Sequence, residues 1–544
     1  MINKKNRIFI GPQFIILLGI LLIGGILRII LAQRIPYMGD ECGTMMNICY
    51  SSKYILTHFH TWLTMNWYIL FIKMIAKVFG ESLIAIRFLS IISGIGTILL
   101  TGLISKHLFP KVNWLVPAAL VSLNPYLITY SAIARVYAVF AFCALLLWLL
   151  FLIWRNNPSW INSINLSLSA LLLVMINLNG IFILLWLLVI ILIEILRVMY
   201  NREKQDLLWL GIKRISIPFA FCMTSAGLFY YQLLGEIRKY SEEWIVNKVS
   251  SISYAPDAFT MYSGTKLVAW LFLFLLVIGT MQTLRWDRYR FLWTSLWIVL
   301  PIITAAILGY SFNSWDYARF FIFVLPGIII LSSIGIHTII LLSGTRRYRV
   351  VVPLVISGIV LSWLPQIAKQ FDQGRLLPFH KVFKYVSEHT RENDRIVSLD
   401  HFTYFHLSPY MSCEERAAVE QAVATRECFI HSTIPELMKN TGGGRVFLIS
   451  SSKNIPTFNL QTMVFGDIRV SILPPEGKEE RYTRLLNGYE RAAKFLNKDA
   501  TPRDFIPIYN SLSDLAKFRG DQQMGKHYKS ILDKFFGEYL QKIR

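Results

Sequence analysis

The 544-residue sequence has no P-loop and no glycine-rich nucleotide run, so chemistry that needs a bound nucleotide finds no cradle for its phosphates. Its six cysteines have no metal-ligand spacing. No stripe of basic residues interleaved with aromatics marks a DNA or RNA surface, and no nucleic-acid partner is expected. No repeat relates the two halves, and the polar residues do not gather at mid-span as they do in many transporters. The first apolar run, "FIGPQFIILLGILLIGGILRIILA", lacks a small-residue cleavage site and exceeds a signal-peptide core, so it reads as a retained span.

What is present is apolar. Hydrophobic residues make up 54% of the chain and mean hydropathy is +0.48. Runs of about 18 or more apolar residues mark transmembrane helices. Eleven spans are expected, at 9–32, 83–105, 113–130, 135–154, 161–178, 180–199, 212–234, 266–284, 291–309, 319–341 and 350–366. The third and fourth are short and joined by a tight polar turn. The formal net charge is +22, and residues after 366 hold 26 Lys+Arg against 21 Asp+Glu, so most of the excess lies in the membrane part. It sits in alternate loops: Lys106 and Lys111; Arg155; Arg197, Arg202 and Lys204; Arg285, Arg288 and Arg290; Arg346, Arg347 and Arg349. With Lys4, Lys5 and Arg7, this pattern places the N-terminus in the cytoplasm and everything after residue 366 outside the cell membrane.

Three regions follow. Residues 1–366 form a transmembrane bundle. Residues 367–480 carry "DRIVSLD" and "GRVFLIS" as strands, with helical sequence such as "SCEERAAVEQAVA" between them, which suggests a small extracytoplasmic α/β domain. Residues 481–544 read as helices. Two external loops are long. Residues 33–82 include "NWYILFIKMIAKVFG", whose Lys73 and Lys77 fall at helical spacing, as in a helix lying in the interface plane. Residues 235–265 are polar and aromatic, and are expected to be a partly mobile loop that helps form an acceptor site. Cys42 and Cys49 share the first loop, and Cys413 and Cys428 the external domain; an oxidising compartment permits pairing within either, though spacing alone does not decide it.

The chemistry-bearing residues cluster on the external side. "RIPYMGDECG" places Asp40 and Glu41 just beyond the first span. Acids there are commonly only solvated, but these follow a turn and precede small and apolar residues. "NPYLITYSAIARVYAVF" places Arg135 and Tyr137 at the start of the fourth span, and "SFNSWDYARFFIFVLPG" places Tyr317 and Arg319 at the start of the tenth. An arginine at a span edge either snorkels or faces a polar cavity. Arginine also suits bidentate phosphate binding. His58 and His60 lie in the first external loop; read as interfacial histidines, they imply no metal.

These motifs resemble the polyprenyl-phosphate-sugar-dependent glycosyltransferases of the GT-C superfamily, closest to the protein O-mannosyltransferase and aminoarabinose transferase group. "GDE" at 39–41 is similar to the family's acidic motif in the first external loop. Tyr68, Lys73, Phe79, Gly80 and Arg87 match its interfacial helix, while Met65-Asn66 replaces a Pro-Pro pair. "NPYLITYSAIARVYAVF" matches a family element, with Ala132-Ile133 replacing Gln-Glu, and "ARFFIFVLPG" matches a late one. The resemblance covers about residues 10–340. It implies a GT-C-like multi-pass helical bundle around an external cavity. It also implies transfer of a sugar from a polyprenyl-phosphate donor to an extracytoplasmic glycolipid, polysaccharide or protein, with no cofactor. On that reading Asp40 is the general base and Glu41 secondary. Arg135, Tyr137, Arg319 and Lys73 meet the donor phosphate, and Tyr68, His60 and Tyr317 meet acceptor or substrate. A lipid transporter or flippase, and an inactive scaffold of the same fold, are the alternatives.

Overall fold

The computed structural model describes residues 12–37, 39–57, 66–201, 205–244, 254–307, 318–343, 345–376, 379–391, 395–398, 445–450, 460–465, 468–475, 477–495 and 502–543. The expected helix at "SCEERAAVEQAVA", and His58, His60 and Tyr317, lie outside them. Contacts divide the chain into two units, Met1–Arg34 with Tyr50–Phe371 and Ile35–Cys49 with Asp372–Arg544.

The first helices are α1 (Pro12–Arg34), α2 (Gly39–Asn47), α3 (Ser52–Thr57), α4 (Asn66–Phe79) and α5 (Leu83–Leu108). Next come α6 (Leu115–Leu123), α7 (Pro125–Ser131), α8 (Val136–Asn156), α9 (Trp160–Ile176), α10 (Gly180–Asn201) and α11 (Gln205–Trp244). The bundle ends with α12 (Ala255–Ser263), α13 (Lys266–Trp286), α14 (Arg288–Ile307), α15 (Leu325–Ser343) and α16 (Thr345–Leu376).

In so apolar a sequence, the polar residues that remain mark the helix starts. The side chains of Ser82, Asn124, Ser159 and Thr265 accept from the backbone N–H groups of Ala85, Leu127, Asn162 and Val268. Each satisfies a donor that a helix N-terminus leaves open. Gly80, at φ 77°, ends α4 in the left-handed region where glycine is favoured.

Among the described residues nine helices are long and apolar enough to cross a membrane by length and composition. Two further passes are shorter: α9, with 17 residues, and the α6–α7 pair, broken at Asn124-Pro125. That pair still runs the length of the bundle. Trp114, before α6, donates to Gln13 at the start of α1, whereas Asn124 donates to the Tyr262 carbonyl at the far end. Nine of the eleven expected spans are thus met by helices of that length and the other two fall on shorter helices, and the protein is a multi-pass helical membrane protein.

One expectation is corrected. Residues 235–265 are not simply a loop: α11 continues as helix to Trp244, and α12 follows. Residues 245–253 between them lie outside the described residues.

The second unit is a layered α/β structure. Its strands are β1 (Arg395–Ser398), β2 (Val446–Ser450), β3 (Gln461–Phe465) and β4 (Ile468–Leu473), in the order β1-β2-β4-β3. Only β1–β2 is parallel. Its helices are α17 (Phe379–His389), α18 (Lys478–Phe495), α19 (Pro502–Phe518) and α20 (Gln522–Ile543). Side chains alternate across a strand. Accordingly Phe447 and Ile449 of β2 pack with Phe379, Val382 and Val386 of α17, while Val446 and Leu448 pack with Leu485 and Leu512 on the opposite face.

The pairing of Cys42 with Cys49, which spacing left open, is not formed. Cys49 is disulfide-bonded and Cys42 is a buried free thiol, so the partner of Cys49 lies outside the described residues.

Candidate functional site

The end of the bundle where α1 finishes holds most of the expected residues. Pro125 cannot donate a backbone hydrogen bond, so the helix breaks there and restarts as the seven-residue α7. The chain then turns through 132–135, and Arg135 sits at the N-cap of α8 in extended conformation (φ −135°, ψ 154°). A second break follows α14, and the chain re-enters through residues 318–320 and a 3-10 turn, Ile322–Val324, ahead of α15. Arg319 lies in that re-entry.

The two arginines meet one ring. The Arg135 guanidinium carbon lies 5.8 Å from the centroid of Tyr137, and that of Arg319 lies 5.7 Å from it. Both are buried, at 3% and 5% exposure. A desolvated guanidinium over an aromatic face gains about 2 kcal/mol, which helps retain cations away from water. Around Tyr137 the rings form a run: Tyr130 edge-on at 5.2 Å and Phe320 at 6.0 Å, with Tyr126 next to Tyr130 at 4.7 Å and Tyr262 beyond it at 5.3 Å. The Arg135 carbonyl accepts from Ser90 Oγ of α5 at 3.2 Å, and Ser90 Oγ lies 3.3 Å from the Tyr68 hydroxyl.

Lys73 of α4 donates to the Tyr50 carbonyl at 2.7 Å. Partial burial pulls its pKa below the ordinary lysine range, with Lys77 adding to that and Glu81 opposing it. Two arginines that sequence alone did not mark as site residues are also fully buried at this end. Arg28 donates to the carbonyls of Gly24, Ser122 and Val121, and Arg87 to that of Ala32. A cation inside the first span was the available signal for Arg28.

Asp40 and Glu41 occupy the first turn of α2, within the second unit, where acids complement the helix N-terminus. Asp40 is half-buried; Glu41 is 1% exposed, and a carboxylate so buried needs polar company. Among the described residues no group of three or more His, Cys, Asp and Glu side chains could hold a metal ion.

No family model matches the sequence, and no curated protein does. The structure is similar to that of ArnT from Cupriavidus metallidurans. Against ArnT bound to undecaprenyl phosphate the TM-score is 0.52 at 14% identity, over 84% of this chain and 97% of that one. Against its apo state the TM-score is 0.54 at 13% identity, with the same coverage. The archaeal oligosaccharyltransferase AglB from Archaeoglobus fulgidus, solved with an inhibitory peptide and a dolichol-phosphate, gives a TM-score of 0.47 at 12% identity, over 72% of this chain and 63% of that one. The likeness to ArnT is one of fold.

Proposed function

We propose that the protein is a membrane glycosyltransferase that moves a sugar from a polyprenyl-phosphate donor to an extracytoplasmic acceptor. The observation that carries this reading is the convergence of Arg135 and Arg319 on Tyr137. They stand where helices break, in a fold shared with ArnT, a protein that has been solved with undecaprenyl phosphate.

The lipid tail of such a donor stays in the bilayer while its phosphate meets the arginines, with Lys73 a further contact. Asp40 removes a proton from the acceptor hydroxyl or amine. The freed electron pair attacks the anomeric carbon, the bond from that carbon to the phosphate oxygen breaks, and the lipid phosphate leaves with the bonding pair. The developing negative charge is what buried guanidinium groups favour. Glu41 is secondary to Asp40 in this role, and His60 and Tyr317 contact the acceptor. Tyr68 acts at one remove, steadying the Arg135 backbone through Ser90.

The test is binding followed by transfer, on the full chain in nanodiscs. Labelled undecaprenyl phosphate is expected to bind about tenfold or more weakly to Arg135→Ala and to Arg319→Ala. Asp40→Asn is expected to bind it normally while transfer from a panel of labelled polyprenyl-phosphate sugars falls at least about a hundredfold. Unchanged binding in both arginine variants sinks the donor site, and transfer surviving in Asp40→Asn sinks the base.

A further inference from the structure

Arg135 and Arg319 are 184 positions apart in sequence, on segments that interrupt different helices. Something must fix their separation, because they stand on different segments, Arg135 in the extended residue before α8 and Arg319 in helical residues 318–320. The Arg135 side is anchored by Asn124, which is fully buried. Its Oδ1 accepts from Leu127 N at 3.0 Å and so starts α7, while its Nδ2 donates to the Tyr262 carbonyl at 2.8 Å. On the Arg319 side, the Tyr262 hydroxyl donates to the carbonyl of Ala318, the neighbour of Arg319, at 2.7 Å. Tyr262 therefore touches both arginine-bearing segments, one through its main chain and one through its side chain.

Its own position is fixed from a third direction. Tyr262 lies in the last turn of α12, which ends at Gly264 with φ 84°. Trp363 of α16 donates to the Ser263 carbonyl at 2.7 Å, and Gln366 donates to the Gly264 carbonyl. A Cβ at Gly264 would press on both of these side chains. The end of α12 is thus clasped by α16 and presents one tyrosine to the two re-entrant segments.

We infer that Tyr262 is a positioning residue: its hydroxyl holds the Ala318 carbonyl so that Arg319 stands at the right distance from Arg135 for a phosphate. The inference rests on the donor-site reading above, and goes beyond it by assigning the geometry to a residue that meets no substrate. The hydroxyl sets how tightly the donor phosphate is held and leaves the acceptor and proton-transfer chemistry to other groups. Tyr262 lies in residues 235–265, the stretch expected to help form an acceptor site, and in none of the family-like motifs.

The experiment is a double-mutant cycle read by binding of labelled undecaprenyl phosphate to the full chain in nanodiscs. Tyr262→Phe removes only the hydroxyl and is expected to weaken binding about fivefold, the worth of one buried hydrogen bond. In an Arg319→Ala background the same change is expected to do nothing further, because Tyr262 acts through Arg319. Asn124→Ser keeps an N-cap for α7 but cannot reach the Tyr262 carbonyl, and is expected to weaken binding in the same way. Thermal unfolding of each variant, run in parallel, separates positioning from general loosening. Equal weakening by Tyr262→Phe with and without Arg319 overturns the inference, as does unchanged binding. If Arg319→Ala itself binds normally, the inference falls, and the donor-site reading falls with it where Arg135→Ala binds normally too; if Arg319→Ala is weak and Tyr262→Phe is not, only the inference falls.

Discussion

At the scale of single residues, the sequence exposed the cations that end a span and hid the one inside a span. Arg135 and Arg319 were legible because each follows a visible break in apolar sequence, Asn124-Pro125 in one case and the polar stretch before 318 in the other. Arg28 was passed over because "GGILRIILA" offers no break in apolar sequence beside it, although a cation inside a span is itself a signal. Its role follows from Pro125. A proline has no N–H to offer the carbonyl four residues back, which here belongs to Val121. Arg28 supplies the missing donors to Val121 (3.4 Å) and Ser122 (3.0 Å) from the neighbouring helix. Gly94 makes room, since a Cβ there would run into Ser131 and Arg28. Arg28→Met should therefore lower stability by about 3 kcal/mol, through two buried carbonyls left without donors. Arg28→Lys should recover part of this, because one ammonium reaches fewer acceptors. Thermal melts of the detergent-solubilised protein measure both; a melting temperature unchanged in Arg28→Met removes the role assigned to this residue.

At the scale of elements, helices with a strong period or a clear cap were legible, and continuations across a change in polarity were not. The spacing in "NWYILFIKMIAKVFG" gave α4, and the three C-terminal helices were visible in the same way. The end of α11 was missed because an apolar run stops where the lipid stops, whereas the helix runs on through "GEIRKYSEEW". β3 and β4 were missed although Gly466-Asp467 between them is a hairpin signal. Glycine pairs within spans were also silent in the sequence. Gly279 of α13 and Gly335 of α15 face each other: a Cβ on the first would overlap the Leu331 carbonyl oxygen, and one on the second the Leu275 carbonyl oxygen. The two helices thus approach backbone to backbone, as small residues permit in membranes. Because a carbonyl cannot rotate away as a side chain can, Gly279→Ala should cost about 2 kcal/mol of stability. Gly227, which has nothing near its Cβ position, supplies the control, and Gly227→Ala should melt no lower than the parent. Equal melting of both variants would remove the close crossing as a source of stability.

At the scale of the whole molecule, the grouping of Ile35–Cys49 with Asp372–Arg544 constrains topology without reference to charge. Segments that pack into one compact unit lie on one side of a membrane, so the chain between residues 49 and 372 must cross an even number of times. Among the described residues the eight long apolar helices after α1 satisfy this, and counting the shorter α9 keeps it only if the α6–α7 pair is counted too. Parity fixes sameness but not side. The side comes from two independent sources. The Lys and Arg excess lies in alternate loops of the sequence, which the charge rule assigns to the cytoplasm. Cys49 is disulfide-bonded, and disulfides persist in oxidising compartments. We therefore expect the C-terminal unit to be extracytoplasmic. A cysteine placed at the exposed Gln523, over the background of the native thiols, should be labelled by a membrane-impermeant maleimide applied to intact cells. Non-reducing peptide mapping should find the Cys49 peptide joined to a second peptide, and the Cys42 peptide carrying a thiol that alkylates only after unfolding. Labelling of Gln523→Cys only after the membrane is opened would place the unit in the cytoplasm. It would also put Asp40 and the polyprenyl-phosphate chemistry on the wrong side of the bilayer.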